Sequence, residues 1–116
     1  MKLSLEWRQA PMGLTVAELR GFLTMSNELL EVEHSLVQFL QTPSSKLVMD
    51  LHQVEMVDSA GVTTLAVCAQ ASDRNGGQIA IANPNPRVRR VFEITHLAQL
   101  MPIYSDVQAA AQSLIS

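Results

Sequence analysis

The stretch VEMVDSAGVTT, residues 54–64, separates two segments whose apolar residues follow different periods. The preceding run KLVMDL, residues 46–51, is short, apolar and bounded by turn residues, as expected for a strand buried on both faces that ends near Asp50. In residues 62–69, apolar side chains recur at three- and four-residue steps, which is typical of an amphipathic helix. Asp58 therefore lies where the chain passes from a strand into a helix.

The rest of the chain continues this alternation. Two segments with alternating apolar residues, 3–8 and 14–23, are joined by the turn residues PMG, which predicts a β-hairpin. A helix is predicted to start at Ser26 or Asn27 and to stop at the Thr-Pro step of residues 42–43. Four later segments read as strand, helix, strand and helix: QIAIAN, RVRRVFEITHL, MPIYS and DVQAAAQSLI.

The resulting order, β-β-α-β-α-β-α-β-α, predicts an α/β fold. Strands that are connected through helices by short links pair in parallel, with right-handed crossovers. We therefore expect a mixed β-sheet that begins with the N-terminal hairpin and has helices packed against it. In such folds, functional sites lie at the carboxyl ends of the parallel strands, which is where residues 58–61 fall.

Composition narrows the functional classes. The 116 residues fit one domain spanning 1–116, and 47% of them are hydrophobic. The net charge of -3, without clusters of Lys or Arg, argues against nucleic acid or an anionic membrane as a partner. No apolar run approaches the roughly 20 residues of a membrane span. Cys68 is the single cysteine and is expected in the core, so a cytoplasmic protein is the natural interpretation.

The residues themselves leave the role of Ser59 open. A serine before an apolar helical pattern is a common N-cap, whereas an exposed hydroxyl at this edge could be displayed for modification. The three histidines are scattered, and no phosphate-binding glycine loop is present, so neither a metal nor a cofactor is predicted. Asp50 and Asp58 lack an identifiable partner base, which argues against an enzyme.

Three motifs make the sequence resemble the STAS domain, and within it the bacterial anti-sigma-factor antagonists. They are LVMDLHQVEMVDSAG, NGGQIAIANPNPRVRRVFEITHL and MPIYSD, which lie in the family's order within residues 47–106. In that family, the hydroxyl residue after the motif aspartate is phosphorylated. The resemblance therefore implies that Ser59 is a phosphorylation site and that Asp58 is the motif acid.

The resemblance also implies the partners. They are an anti-sigma factor that is a Ser/Thr kinase of the histidine-kinase-like ATPase type, which binds the unphosphorylated antagonist, and a PP2C-type phosphatase that reverses the modification. A homodimer is compatible with it, and direct insertion into a membrane is not expected. The implied partner-binding residues are Val57, Asp58, Ser59, Ala60, Gly61, Val62 and Thr24.

Two departures from the family pattern bear on this interpretation. Ala60 stands where a second hydroxyl is common, so Ser59 is the only phosphoacceptor within the motif. Thr24 stands where an acid is common. Gly61 is not a departure; because it has no side chain, it is expected to allow close approach of a partner backbone. An alternative is a STAS accessory subunit of a membrane assembly, such as a phospholipid-transport ABC complex, in which Ser59 would be a constitutive packing contact.

Overall fold

The computed structural model describes residues 1–115 and contains the predicted order of elements. The strands are β1 (Ser4–Gln9), β2 (Thr15–Leu23), β3 (Lys46–Val57), β4 (Gln78–Ala82) and β5 (Ile103–Tyr104). The helices are α1 (Asn27–Leu40), α2 (Ser59–Arg74), α3 (Pro86–Ile94) and α4 (Val107–Ile115). Short 3₁₀ turns lie at Pro11–Gly13 and Leu97–Gln99. The prediction of order β-β-α-β-α-β-α-β-α is therefore confirmed.

The five strands form one mixed sheet in the order β1-β2-β3-β4-β5. β1 and β2 pair in antiparallel fashion, as the short connection predicted, and the other neighbours are parallel. The connection bends tightly because Met12 and Gly13 both take positive φ angles, 69° and 77°. Because β2, β3 and β4 run parallel, their carboxyl ends reach the same edge of the sheet, where α1, α2 and α3 begin.

One face of the sheet is covered by α1, α2 and α3 and holds the larger core. Alternate residues of β2, among them Ala17, Leu19 and Leu23, point into it. The apolar face of α1 predicted from the sequence is present, since Leu29 and Leu36 are buried there. The buried set continues in α2 and α3 with Leu65, Cys68, Ala69, Val88 and Phe92. The prediction that Cys68 is a core residue is confirmed.

The opposite face carries a smaller core and a charged section. α4 packs Ala110 and Leu114 on β3 and β4. Asp50 lies in the middle of β3, so the prediction that it ends a strand was wrong; the strand continues to Val57. Asp50 accepts a hydrogen bond of 2.9 Å from Arg8 on β1, which accounts for a buried carboxylate. Within residues 1–115, no helix is long and apolar enough to cross a membrane.

Candidate functional site

Asp58 is the N-cap of α2 and also holds a second loop in place. Its Oδ1 accepts a hydrogen bond of 2.9 Å from the Gly61 N–H, and its Oδ2 accepts one of 3.0 Å from the Met25 N–H. Burial opposes ionisation of the carboxyl, but these N–H groups outweigh it, so the pKa of Asp58 is lowered. One carboxylate therefore fastens the β2–α1 loop to the start of α2.

Ser59 is the first residue of α2 and is exposed to solvent. It is not the N-cap, so that interpretation of Ser59 was wrong; Asp58 takes the role because its carboxylate reaches the Gly61 N–H. The Ser59 carbonyl accepts a hydrogen bond of 3.0 Å from the Thr63 hydroxyl. Within residues 1–115, no hydrogen bond engages the Ser59 hydroxyl itself. The hydroxyl is thus available at a helix N-terminus, where backbone N–H groups favour negative charge.

Gly61 and Val57 lie beneath the surface rather than on it. A Cβ atom on Gly61 would come within 2.1 Å of the Leu23 carbonyl oxygen and 2.7 Å of the Val57 Cγ2 atom. The glycine therefore allows α2 to approach β2, and it does not provide room for a partner backbone as the sequence suggested. Val57 belongs to the core beneath α2. These two predicted contact residues support the site from within.

The other predicted contact residues lie at or near the surface. Ala60 and Val62 are half-buried and pack against the core. Thr24 is also half-buried and directly follows β2, so it lies beside Asp58, whose N–H donates to the Leu23 carbonyl at 3.3 Å. The structure thus brings Thr24, Asp58, Ser59 and Ala60 together at one edge of the sheet.

A groove between α1 and α2 opens beside Ser59, with a volume of about 370 Å³. Its apolar lining includes Met25, Leu29, Leu30 and Ala60. Met25 is 68% exposed and Leu30 is 59% exposed, and the two side chains lie together in this groove, so they form an exposed apolar patch. Sequence reasoning missed both residues. For Leu30 there was a signal, since it lies next to Leu29 and falls off the buried face of α1.

Glu33 supplies a charge to this otherwise mainly apolar groove. Its Oε1 accepts a hydrogen bond of 2.7 Å from the hydroxyl of Thr64, which is buried on α2. Burial, with a smaller contribution from the Glu33 carboxylate, raises the pKa of the Cys68 thiol to about 12. Cys68 is therefore an unreactive thiol at neutral pH. Sequence reasoning missed Glu33 as well, because nothing in the pattern of α1 distinguishes it from the neighbouring acids.

The third helix to begin at this edge, α3, also starts with a side-chain cap. Asn85 accepts a hydrogen bond of 2.8 Å from the Val88 N–H and donates one of 2.9 Å to the Val54 carbonyl. Arg87 is exposed in its first turn. Among residues 1–115, no group of three or more His, Cys, Asp or Glu side chains could hold a metal ion.

Comparisons with known proteins agree with this architecture. The protein BtrV of Bordetella bronchiseptica, provisionally named an anti-sigma factor antagonist, is 29% identical over 100 residues, covering 85% of this chain and 84% of BtrV. An anti-sigma factor antagonist from Mycobacterium paratuberculosis has a crystal structure that superposes with a TM-score of 0.82 at 20% identity, covering 99% of this chain and 96% of that one.

A further solved structure, the Bacillus cell fate determinant SpoIIAA in its phosphorylated form, superposes with a TM-score of 0.71 at 17% identity, covering 95% of this chain and 99% of that one. At these identities, the two structural likenesses establish the fold. The model of the STAS domain family matches residues 11–110. That match spans most of the chain, and the sheet and helices described above agree with it. The chain therefore belongs to the STAS domain family.

Proposed function

We propose that this STAS domain is an anti-sigma-factor antagonist whose binding is switched by phosphorylation of Ser59. In its unmodified form it binds an anti-sigma factor that is also a Ser/Thr kinase of the histidine-kinase-like ATPase type. That kinase transfers a phosphoryl group from ATP to the Ser59 hydroxyl, and a PP2C-type phosphatase removes it. The chain acts in the cytoplasm as a binding partner and a kinase substrate, not as an enzyme.

The observation that carries this proposal is the placement of the Ser59 hydroxyl. It is exposed, it makes no hydrogen bond within residues 1–115, and it lies beside a groove with exposed apolar side chains. Capping is already performed by Asp58. The local structure therefore does not need the hydroxyl, which supports a role in recognition or modification.

The chemistry of this position favours a switch that leaves the fold intact. A phosphate adds about 1.5 to 2 negative charges at pH 7. The dipole at the start of α2 stabilises that charge, so the domain stays folded. A partner surface that fits a neutral serine instead meets repulsion and desolvation. A loss of roughly 3 kcal/mol in binding free energy lowers the affinity more than a hundredfold.

Related proteins also support the proposal of a phosphorylation-switched antagonist. Proteins similar to this chain are anti-sigma factor antagonists, and SpoIIAA has been solved in a phosphorylated form. Ala60 replaces the second hydroxyl that is common in the family, so the motif offers the kinase one acceptor.

The test uses the purified chain and each candidate anti-sigma kinase of its native genome. Kinase, ATP and chain are incubated, and the phosphorylated residue is identified by mass spectrometry. We expect one phosphate on Ser59 and none on Ser59→Ala. Thr95→Val serves as the control, because Thr95 is an exposed hydroxyl residue that does not line the groove, and this variant should still be phosphorylated on Ser59.

Binding is then measured by calorimetry with Ser59→Asp and Ser59→Asn, which have nearly the same size and differ in charge. We expect the Asp variant to bind the kinase at least tenfold more weakly than the Asn variant. Equal affinities of these two variants would contradict a charge-based switch. If no kinase binds the wild-type chain and an ABC ATPase does, the accessory-subunit alternative is correct.

A further inference from the structure

We infer that Glu33 determines which partner the groove accepts, by pairing with a Lys or Arg side chain of the anti-sigma kinase, and that phosphorylation of Ser59 acts by disturbing this charge pair. The inference rests on the proposed function and specifies the chemistry of the partner surface. The partner segment it requires carries one cation next to an apolar side chain.

Glu33 lies in the groove between α1 and α2. Of the eight residues that line it, Glu33 is the only one with an ionisable side chain. It is half-buried, and Thr64 fixes its orientation through the hydrogen bond of 2.7 Å to Oε1. A carboxylate can accept several hydrogen bonds, so acceptor capacity remains for a second donor.

The Glu33 carboxylate has no counter-charge among the residues that the structure describes. Within residues 1–115, the ion pairs join Arg8 and Arg20 with acids on the opposite face of the sheet, and none involves Glu33. In the free protein, water reaches part of the side chain and solvates the charge. The position therefore differs from that of Asp50, whose carboxylate is buried and paired with Arg8.

Covering the groove changes the surroundings of Glu33. A partner that packs on the exposed side chains of Met25 and Leu30 removes water from Glu33 as well. Burying an unpaired carboxylate is strongly unfavourable, whereas a carboxylate that meets a well-placed cation can contribute to affinity. A partner with a Lys or Arg at this point is therefore accepted, and one with an apolar or acidic side chain is rejected.

Charge balance explains how phosphorylation disrupts the complex. Ser59 and Glu33 line the same groove, and Glu33 is its only ionisable lining residue while Ser59 is unmodified. The neighbouring Asp58 carboxylate does not line the groove and is already held by the Met25 and Gly61 N–H groups, so one partner cation faces the one charge of Glu33. A phosphate raises the negative charge in the groove by about 1.5 to 2. One cation cannot balance this total, and the excess charge would be buried under the partner.

The test compares Glu33→Gln with Glu31→Gln. A glutamine at position 33 keeps an oxygen that accepts from the Thr64 hydroxyl, so the contact between α1 and α2 is retained. Glu31 is an exposed acid on the same helix and does not line the groove. Thermal unfolding verifies that both variants are folded. Affinity for the purified kinase that binds the wild-type chain is measured by calorimetry over a range of salt concentrations.

We expect Glu33→Gln to weaken binding about thirtyfold and to flatten its salt dependence, since truncating one member of a buried charge pair is costly. Glu31→Gln should remain within about twofold of wild type. If both variants bind equally well, Glu33 does not select the partner and the inference is overturned, while the proposed function stands. If no kinase binds the wild-type chain, the proposed function fails and the inference fails with it.

A double-mutant cycle tests the link to phosphorylation. In the Glu33→Gln background, Ser59→Asp restores one negative charge near the partner cation. The affinity lost through Ser59→Asp should therefore be at least about tenfold smaller in that background than in the wild-type background. Equal losses in the two backgrounds would show that Ser59 and Glu33 act independently, which contradicts the charge-balance mechanism.

Discussion

The starts of α2 and α3 are built alike and differ at a few atoms. Each helix begins after a parallel strand, and each cap side chain accepts a hydrogen bond from the N–H three residues on, Asp58 from Gly61 and Asn85 from Val88. Each cap also reaches a neighbouring segment. The carboxylate accepts from the Met25 N–H, whereas the amide donates to the Val54 carbonyl.

The two helix starts differ in the residue that follows the cap, and this residue makes the start of α2, but not that of α3, a candidate site. At α2 it is Ser59, which presents an exposed hydroxyl, and at α3 it is Pro86, which has neither a hydroxyl nor a backbone N–H. The capping scaffold is therefore general, and the proposed function depends on the side chains placed upon it. Four predictions test how the residues at the start of α2, and the matching residues of α3, contribute to stability.

The largest expected effect is that of Gly61→Ala. The new Cβ would lie 2.1 Å from the Leu23 carbonyl oxygen, so α2 must move away from β2. We expect the free energy of unfolding to fall by roughly 3 kcal/mol, measured by urea denaturation. The control is Gly76→Ala just after the other end of α2. There φ is +70° but the nearest atom is 4.0 Å away, and the cost should be only about 1 kcal/mol. Similar losses for both variants would contradict the steric explanation.

The second prediction removes each cap and varies the pH. At pH 7, Asp58→Ala and Asn85→Ala should each lower the free energy of unfolding by about 1 to 2 kcal/mol. The pKa of Asp58 is lowered in the folded protein, so its stabilisation is complete above the ordinary carboxyl pKa and is lost as the pH falls through the lowered pKa.

Denaturation of wild type and both variants at pH 7 and near pH 3 checks this. The difference in the free energy of unfolding between wild type and Asp58→Ala should shrink at the lower pH. The corresponding difference between wild type and Asn85→Ala should stay nearly constant. A constant difference for Asp58→Ala would mean that its charge does not contribute to capping.

The third prediction exchanges the two cap chemistries. Asp58→Asn keeps an acceptor for the Gly61 N–H but turns a donor toward the Met25 N–H. Asn85→Asp turns an acceptor toward the Val54 carbonyl. We expect each exchange to lower the free energy of unfolding by about 1 kcal/mol. In Asp58→Asn, hydrogen exchange at the Met25 amide should accelerate by at least about tenfold, and Asn85→Asp should leave that amide unchanged.

The smallest effect is expected for Ser59→Asp. A negative charge at the first position of α2 interacts favourably with the helix dipole and should raise the free energy of unfolding by about 0.5 kcal/mol. Gln70→Asp, an exposed position in the fourth turn of the same helix, should show no such gain. A clear loss of stability in Ser59→Asp would mean that phosphorylation disrupts the fold itself, not only the partner surface.

Local patterns in the sequence were sufficient to predict the order of the elements and the place where α2 begins. Alternation in residues 14–23 and the three- and four-residue steps of α1 depend only on local geometry, because backbone period decides which side chains share a face. The motif around Ser59, with its downstream companions, was sufficient to indicate the STAS family. These features need no knowledge of how the elements pack.

The surroundings of Ser59, in contrast, follow from the packing of elements that are distant in sequence. The Asp58 carboxylate binds the Met25 N–H across 33 residues of sequence, and Thr64 meets Glu33 across 31. Whether Gly61 faces solvent or Leu23 likewise depends on the distance between α2 and β2. Periodicity places a side chain on a face of its own helix. Which atoms it meets there follows from how closely two distant elements pack, and that is why the groove and its acid emerged only from the fold.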